Sequence, residues 1–227
     1  MDLRQALRTT GSVREFTDAP VDDAVLFEIL DDARFAPSGG NRQAWRVIVV
    51  RDPDQRRALA AAYLDAWHDY IASLLVGVVP FSPLASDAER RAVAARRPDA
   101  IAKSNPDGFA ETLEHAPALL VVLADLTNFA ATDRDLERYH LVGGASIYPF
   151  AWSILLAAHD RGLGGVMTTV ATANEPRLRD VFSLPDHLAV ASVVVLGYPR
   201  RRATKLRRHD VSDFAVTDRY DGPPFTA

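Results

Sequence analysis

The chain has 227 residues, 48% of them hydrophobic and 25% charged, and carries a formal net charge of −4. That balance excludes a disordered or fibrous protein and supplies no global field to draw nucleic acid or anionic lipid. Cysteine is absent, which removes disulfides, thiolate metal sites, iron–sulfur clusters and a cysteine nucleophile together.

Leu3 to Arg8 predicts a short helix, broken by Thr9-Thr10-Gly11-Ser12 ahead of Val13-Arg14-Glu15-Phe16. From Asp22 to Phe35, the residues Val25, Leu26, Ile29, Leu30 and Ala33 recur at helical spacing, with Asp22 available as a cap. Ala36-Pro37-Ser38-Gly39-Gly40-Asn41 is the densest turn signal, and the β-branched run Trp45 to Val50 behind it predicts a strand. Pro53 to Leu75 reads as one long helix, followed by a proline-bearing stretch and an Arg/Ala-rich helix from about Ser86 to Arg97. The region from about 65 to 112 is the candidate for a lid or an arm lying on a partner subunit.

Ala118 to Ala124 is continuously apolar, as a strand buried on both faces requires. Ala145 to Arg161 predicts an apolar helix with Pro149 within its first turn or two, ending at Gly162-Leu163-Gly164-Gly165. A short strand over Val166 to Val170, a helix over Asn174 to Phe182 and a buried strand over Leu188 to Tyr198 follow. Residues 199 to 227 read as an extended tail, basic at first. No linker or internal repeat divides the chain, so a single domain is expected, an α+β or α/β sandwich with helices covering a central sheet. The polar N-terminus and the lack of an apolar run of about 18 residues predict a cytoplasmic protein with no membrane partner.

Four segments are candidates for chemistry. Ser12-Val13-Arg14 sets a hydroxyl and a guanidinium two residues apart after a glycine, able to meet one phosphate, although such a pair is more often a solvated turn. Arg200, Arg201, Arg202, Lys205, Arg207 and Arg208 crowd together in an acidic protein, as either a solvated surface or a phosphate clamp. Pro37 to Trp45 offers two glycines for close backbone approach, with Ser38, Asn41 and Gln43 as neutral donors and acceptors; a plain loop is the competing reading. Gly162 to Thr169 follows a helix rather than opening one, which disfavours a Rossmann phosphate turn but lets the strand present its N–H groups to a cofactor edge.

The six histidines are scattered without metal-ligand spacing, and Ser38 lies in no G-x-S-x-G elbow. Asp31-Asp32, and Asp133 with Asp135, are expected to be solvated. No side chain announces itself as acid, base or nucleophile, which is what a cofactor-borne reaction requires.

In this order the four segments resemble the FMN-dependent nitroreductase superfamily. Ser12-Val13-Arg14-Glu15-Phe16 resembles its opening phosphate-contact segment. Ala36 to Val50 is similar to its most specific motif. Tyr148 to Ala158 with Gly162-Leu163-Gly164 resembles its central helix and turn, and Gly197-Tyr198-Pro199 with Lys205-Leu206-Arg207-Arg208 its last strand and C-terminal phosphate contacts. The resemblance implies an α+β three-layer sandwich with a central mixed sheet covered by helices, and a homodimer with FMN at the interface. It implies that Ser12 and Arg14, with Lys205 and Arg207 or Arg208, hold the FMN phosphate. It further implies that Pro37, Ser38, Gly39 and Asn41 border the flavin, usually from the second subunit, and that Met167, Thr168 and Thr169 line the ring's other edge.

The implied activity is electron transfer from NADPH or NADH through FMN to nitroaromatics, quinones or similar small acceptors, with no indispensable acid or base. Three positions depart from the family pattern: Thr10-Gly11 stands where an arginine is common, Ala44 replaces a usual proline, and Trp152-Ser153 stands where Gln-Asn is frequent. Two alternatives stay open: another flavin or deazaflavin chemistry on this fold (oxidase, dehydrogenase or dehalogenase), and a flavin-free binding protein.

Overall fold

Seven consecutive apolar residues closing on an aspartate form β2 (Ala118–Asp125), every position of which is buried. In the computed structural model, which describes residues 1–202 and 205–226, β2 sits inside a sheet with β1 (Trp45–Val49), β3 (Gly164–Thr168) and β4 (Leu188–Gly197). The order is β1-β2-β4-β3, and all three named pairings are antiparallel. The parallel component of the sheet is a bridge from Ser12 to Gly165 on the outer edge of β3.

Alternation along the strands divides the core into two layers. On one face, Leu120, Val122 and Leu196 pack with α2 (Asp23–Ala33) and α5 (Tyr148–Asp160), through Leu26, Ile29, Phe150 and Ile154. There the Trp45 and Phe150 rings stack with centroids 4.7 Å apart. On the other face, Leu119, Val121, Val193 and Val195 pack with Leu59 and Tyr63 of α3 (Pro53–Val76) and Leu178 of α6 (Glu175–Val181). The result is the expected α+β sandwich of helices, sheet and helices. The short α1 (Leu3–Thr9) lies along α5, and no described helix is long and apolar enough to cross a membrane.

Several boundaries differ from the sequence reading for identifiable reasons. The helix expected to end at Arg97 continues as α4 (Asp87–Ala102), through Pro98. An interior proline removes one backbone donor, but Arg97 clamps the helix to Asp65 and Asp69 of α3, and Ser86 with Glu89 forms a capping box at its start. The helix expected over Ala145 to Arg161 divides into a 3-10 turn, Val142–Ser146, and α5, with Pro149 in the first turn as expected. The tail is largely irregular but contains the turn of helix α7 (Val211–Phe214) and a bridge between Val216 and Pro224. Residues 203, 204 and 227 of that tail lie outside the described residues.

Asp133 corrects an expectation of solvation. Its side chain is 2% exposed and accepts hydrogen bonds from the N–H groups of Leu141 and Val142 and from Arg138. The Leu141 N–H, followed by the rest of this cage, lowers its pKa to about 2. A single buried carboxylate therefore organises the loop leading into α5.

Candidate active site

The site is built on the outer edge of β3. Val13 N–H donates to Gly165 O at 2.8 Å, and Thr17 N–H donates to Tyr198 O at 2.8 Å. Residues 12–17 therefore run extended from the edge of β3 to the end of β4. Extended backbone alternates its side chains, so Ser12 and Arg14, both exposed, share a side. The glycines behind them serve close packing: a Cβ on Gly165 would stand 2.4 Å from Val195 O, and one on Gly164 would meet Val13 at 2.7 Å.

The Val13 bond shows that Gly165 O points away from β4. By strand alternation the N–H and C=O of Met167 point to the same open edge, and among the described residues neither finds a hydrogen-bond partner. Beside this edge runs an aromatic strip. The Tyr63 hydroxyl lies 3.5 Å from Thr168 Oγ1, and burial raises its pKa, so it stays a neutral phenol. Trp67 stacks on Tyr63 with centroids 6.1 Å apart and on Tyr70 at 4.8 Å. Phe109 meets Tyr63 edge-on at 6.0 Å, and the Arg14 guanidinium lies over Phe109. The sequence reading missed these aromatics. Their signal was the Tyr63, Trp67, Tyr70 spacing, which keeps all three on one face of α3.

Two cavities flank the strip. A groove of about 1370 Å³ is lined by Arg14, Phe109 and four further arginines. Arg51 pairs with Asp23, Arg57 with Asp54 and Arg200 with Asp18, while Arg56 donates to the carbonyls of Val50, Glu114 and Ala116. Arg14 alone of the five lacks a carboxylate or carbonyl partner among the described residues, and so has its donors available for an anion. On the other side, a cavity of about 830 Å³ is lined by Tyr70, Phe81, Tyr139, Tyr148 and Thr169, among others.

The tail does return to this neighbourhood, through Arg200 and Arg202 of the basic cluster. Arg200 donates to Phe16 O at 2.7 Å, and Arg202 lines a small cleft with Thr10, Gly11 and Gly165. Lys205, Arg207 and Arg208 lie exposed further along, and no hydrogen bond or ion pair joins them to Ser12 or Arg14 among the described residues.

Loop 37–43 stands elsewhere in the same chain. Gly39 N–H donates to Ser146 Oγ at 3.1 Å, at the start of α5, whereas Thr9, three residues before Ser12, contacts His159 at its end. Those ends are about 20 Å apart. Within the loop, Ser38 Oγ accepts from Gln43 N–H at 3.0 Å, and Gln43 Nε2 donates to Asn41 Oδ1 at 3.2 Å. Asn41 and Gln43 take positive φ of 53° and 47°. Such strain in non-glycine residues persists where surrounding structure enforces it and is concentrated at ligand sites. Pro37, Gly39 and Asn41 are exposed to solvent.

The sequence model described as the nitroreductase family matches residues 7–198, which takes in the Ser12 segment, loop 37–43 and β3. The chain belongs to the nitroreductase family. This membership places it among flavin-dependent oxidoreductases. The chain is 30% identical over 202 residues to an NADH dehydrogenase of Thermus thermophilus, covering 88% of this chain and 87% of that protein. It is 27% identical to iodotyrosine deiodinase 1 of Rattus norvegicus, covering 95% of this chain and 69% of that protein. The fold matches a nitroreductase family protein from Clostridium difficile with a TM-score of 0.64 at 20% identity, covering 96% of this chain and 99% of that one.

Proposed function

We propose that this nitroreductase family member binds FMN along the open edge of β3 and uses NADH or NADPH to reduce small neutral aromatic acceptors, nitroaromatics and quinones foremost. The observation that carries this reading is the unpaired backbone of Met167, set between the Ser12–Arg14 segment and the aromatic strip. A flavin ring carries both donors and acceptors along one edge, and its ribityl phosphate is an anion; the donor set matches both. When bound, FMN supplies the electron transfer that no side chain of this cysteine-free chain can perform.

In this reading Ser12 and Arg14 hold the phosphate, and Lys205, Arg207 and Arg208 add positive charge from the tail. Met167 N–H and C=O orient the ring, and Thr168, held by Tyr63, and Thr169 border it. Tyr63, Trp67 and Phe109 keep water from one side. Pro37, Ser38, Gly39 and Asn41 complete the site from a second copy, because α5 separates them from Ser12 within one chain. The exposed Leu3, Leu7, Phe27 and Phe35 provide apolar surface for that homodimer. Residues 65–112 act as the lid over the acceptor cavity.

Iodotyrosine deiodinase relatives favour a second reading, reductive dehalogenation. The 830 Å³ cavity argues against an amino-acid substrate. Asp69 is paired with Arg97, Arg90 with Asp87, and Glu89 is held in the Ser86 capping box. Charges already satisfied leave hydroxyls, not free ions, to meet a ligand, which suits a neutral ring better than a zwitterion. The deciding experiment is an absorbance spectrum of purified protein before and after anaerobic NADPH or NADH. Flavin bands that bleach, and reoxidise with a quinone but not with a halotyrosine, support the proposal; a protein that takes up no FMN sinks it.

A further inference from the structure

A directed hydrogen-bond chain lies behind Ser12. Arg202 Nη1 is 3.0 Å from His159 Nδ1. A guanidinium only donates, so Nδ1 is the accepting nitrogen and the ring proton sits on Nε2. Nε2–H then donates to Thr9 Oγ1 at 2.8 Å, and the Thr9 hydroxyl donates to Gln5 O at 2.8 Å. The other Arg202 nitrogen donates to Gly162 O and, at 3.3 Å, to Leu163 O, carbonyls just beyond the end of α5. One guanidinium therefore ties the tail to α5 and, through the ring, to the last residue of α1. Thr9 is three residues from Ser12, and Gly11, Val13 and Gly165 line the same cleft as Arg202.

We propose that Arg202 is a positioning residue for phosphate binding at Ser12, acting through His159 and Thr9. This rests on the FMN reading and adds to it a residue that neither touches the ring nor belongs to the Ser12–Arg14 pair. The chain exists in one protonation state only: a doubly protonated imidazole has no lone pair for Arg202 and sets two cations side by side. Burial lowers the His159 pKa, the Arg202 charge lowers it further, and Asp160 opposes both. The charges acting on the ring are Arg202 from the tail and Asp160 on α5, which binds the Met1 ammonium at 2.7 Å; α1, whose Thr9 meets the ring, also carries Arg8 in its last turn. Arg161 turns to Glu28 and Asp32 of α2. A base whose folded pKa lies below its unfolded value of about 6.5 contributes its full stability above that pH and loses it as pH falls through the lowered value. Phosphate affinity at Ser12 accordingly weakens on acidification.

The test titrates the protein with FMN and with riboflavin, which lacks the phosphate, following flavin fluorescence. Arg202→Ala is expected to weaken FMN about tenfold or more, as loss of a charge-assisted bond does, to leave riboflavin unchanged, and to be partly rescued by Arg202→Lys. Equal losses for both flavins, or an unchanged FMN affinity, overturn the proposal. Should Arg202→Ala fail to fold, His159→Gln decides, since it keeps a donor facing Thr9 and cannot titrate. The phosphate itself takes up a proton near pH 6, so both proteins lose FMN affinity between about pH 5 and 7.5, and His159→Gln is expected to lose clearly less than the wild type; an equal fall in both overturns the proposal. NMR titration of His159 in the flavin-free protein separates this inference from the cofactor reading. An imidazole titrating at its ordinary value overturns the Arg202–His159–Thr9 chain, whereas a lowered value in a protein that takes neither flavin supports that chain and overturns its phosphate role.

Discussion

Arg97 of α4 lies 3.1 Å from Asp69 of α3, and its other terminal nitrogen reaches Asp65 one helical turn earlier. This fork is the main polar tie on a helix whose one fully buried residue is Ala100 and which carries Pro98 in its interior. All three side chains are about a third exposed or more, so solvent screens them. Arg97→Ala is expected to cost about 1 kcal/mol globally yet to loosen α4 locally. Because Glu89, Arg90 and Val93 of α4 line the acceptor cavity, KM for the acceptor should rise while FMN stays bound. Hydrogen exchange over residues 87–102 checks this, and exchange as slow as in the wild type would rule it out.

Gly165 is the point at which the Ser12 segment meets the sheet. Gly165→Ala places a Cβ 2.4 Å from the Val195 carbonyl, and backbone on that side cannot swing away. A loss of roughly 1–3 kcal/mol in urea unfolding is expected, the usual cost of overpacking, together with weaker FMN binding as the Ser12 bridge shifts. Gly77→Ala is the control. Gly77 closes α3 at φ +84° with nothing near its absent Cβ, so it should cost roughly 1 kcal/mol and leave FMN affinity untouched.

Much of the fold was legible because its signals are local. The unbroken apolar run of β2 and the helical spacing of Leu26, Ile29 and Ala33 each report burial directly. Pro98 misled because the clamp that offsets it comes from Asp65 and Asp69 on another helix, and Asp133 misled because its partners are backbone N–H groups that no residue type announces. The same division runs through the site. Ser12, Arg14, loop 37–43 and the basic cluster were visible as motifs, but that Ser12 meets Gly165, and that Arg200 and Arg202 return toward that segment, are consequences of chain path alone.

Asp133 makes the stability of the 126–147 loop depend on acid. Its folded pKa of about 2 lies below the ordinary carboxylate value, so its contribution is complete above the unfolded pKa of about 4 and disappears as pH falls toward 2. Wild-type stability in urea should therefore drop across that window. Asp133→Asn keeps an acceptor but not the charge, and should be less stable at pH 7 with a shallower acid dependence. Parallel acid profiles for the two proteins would show that the carboxylate is not what holds Leu141 and Val142.

If the site straddles two copies, defects on opposite sides of it complement each other. An Arg14→Glu chain lacks the phosphate side and an Asn41→Ala chain lacks the loop side, so each homodimer carries two damaged sites. A mixed dimer carries one site with both defects and one with neither. Statistical mixing after co-expression makes half of the dimers mixed, which returns roughly a quarter of the wild-type sites. Flavin content per protomer, measured by absorbance after gel filtration, should rise to about that level above either variant alone. If Asn41 served the Ser12 of its own chain, every site in the mixture would keep one defect and no recovery would be seen. That result would remove the second copy from the site, and with it the account of why α5 holds the two motifs apart.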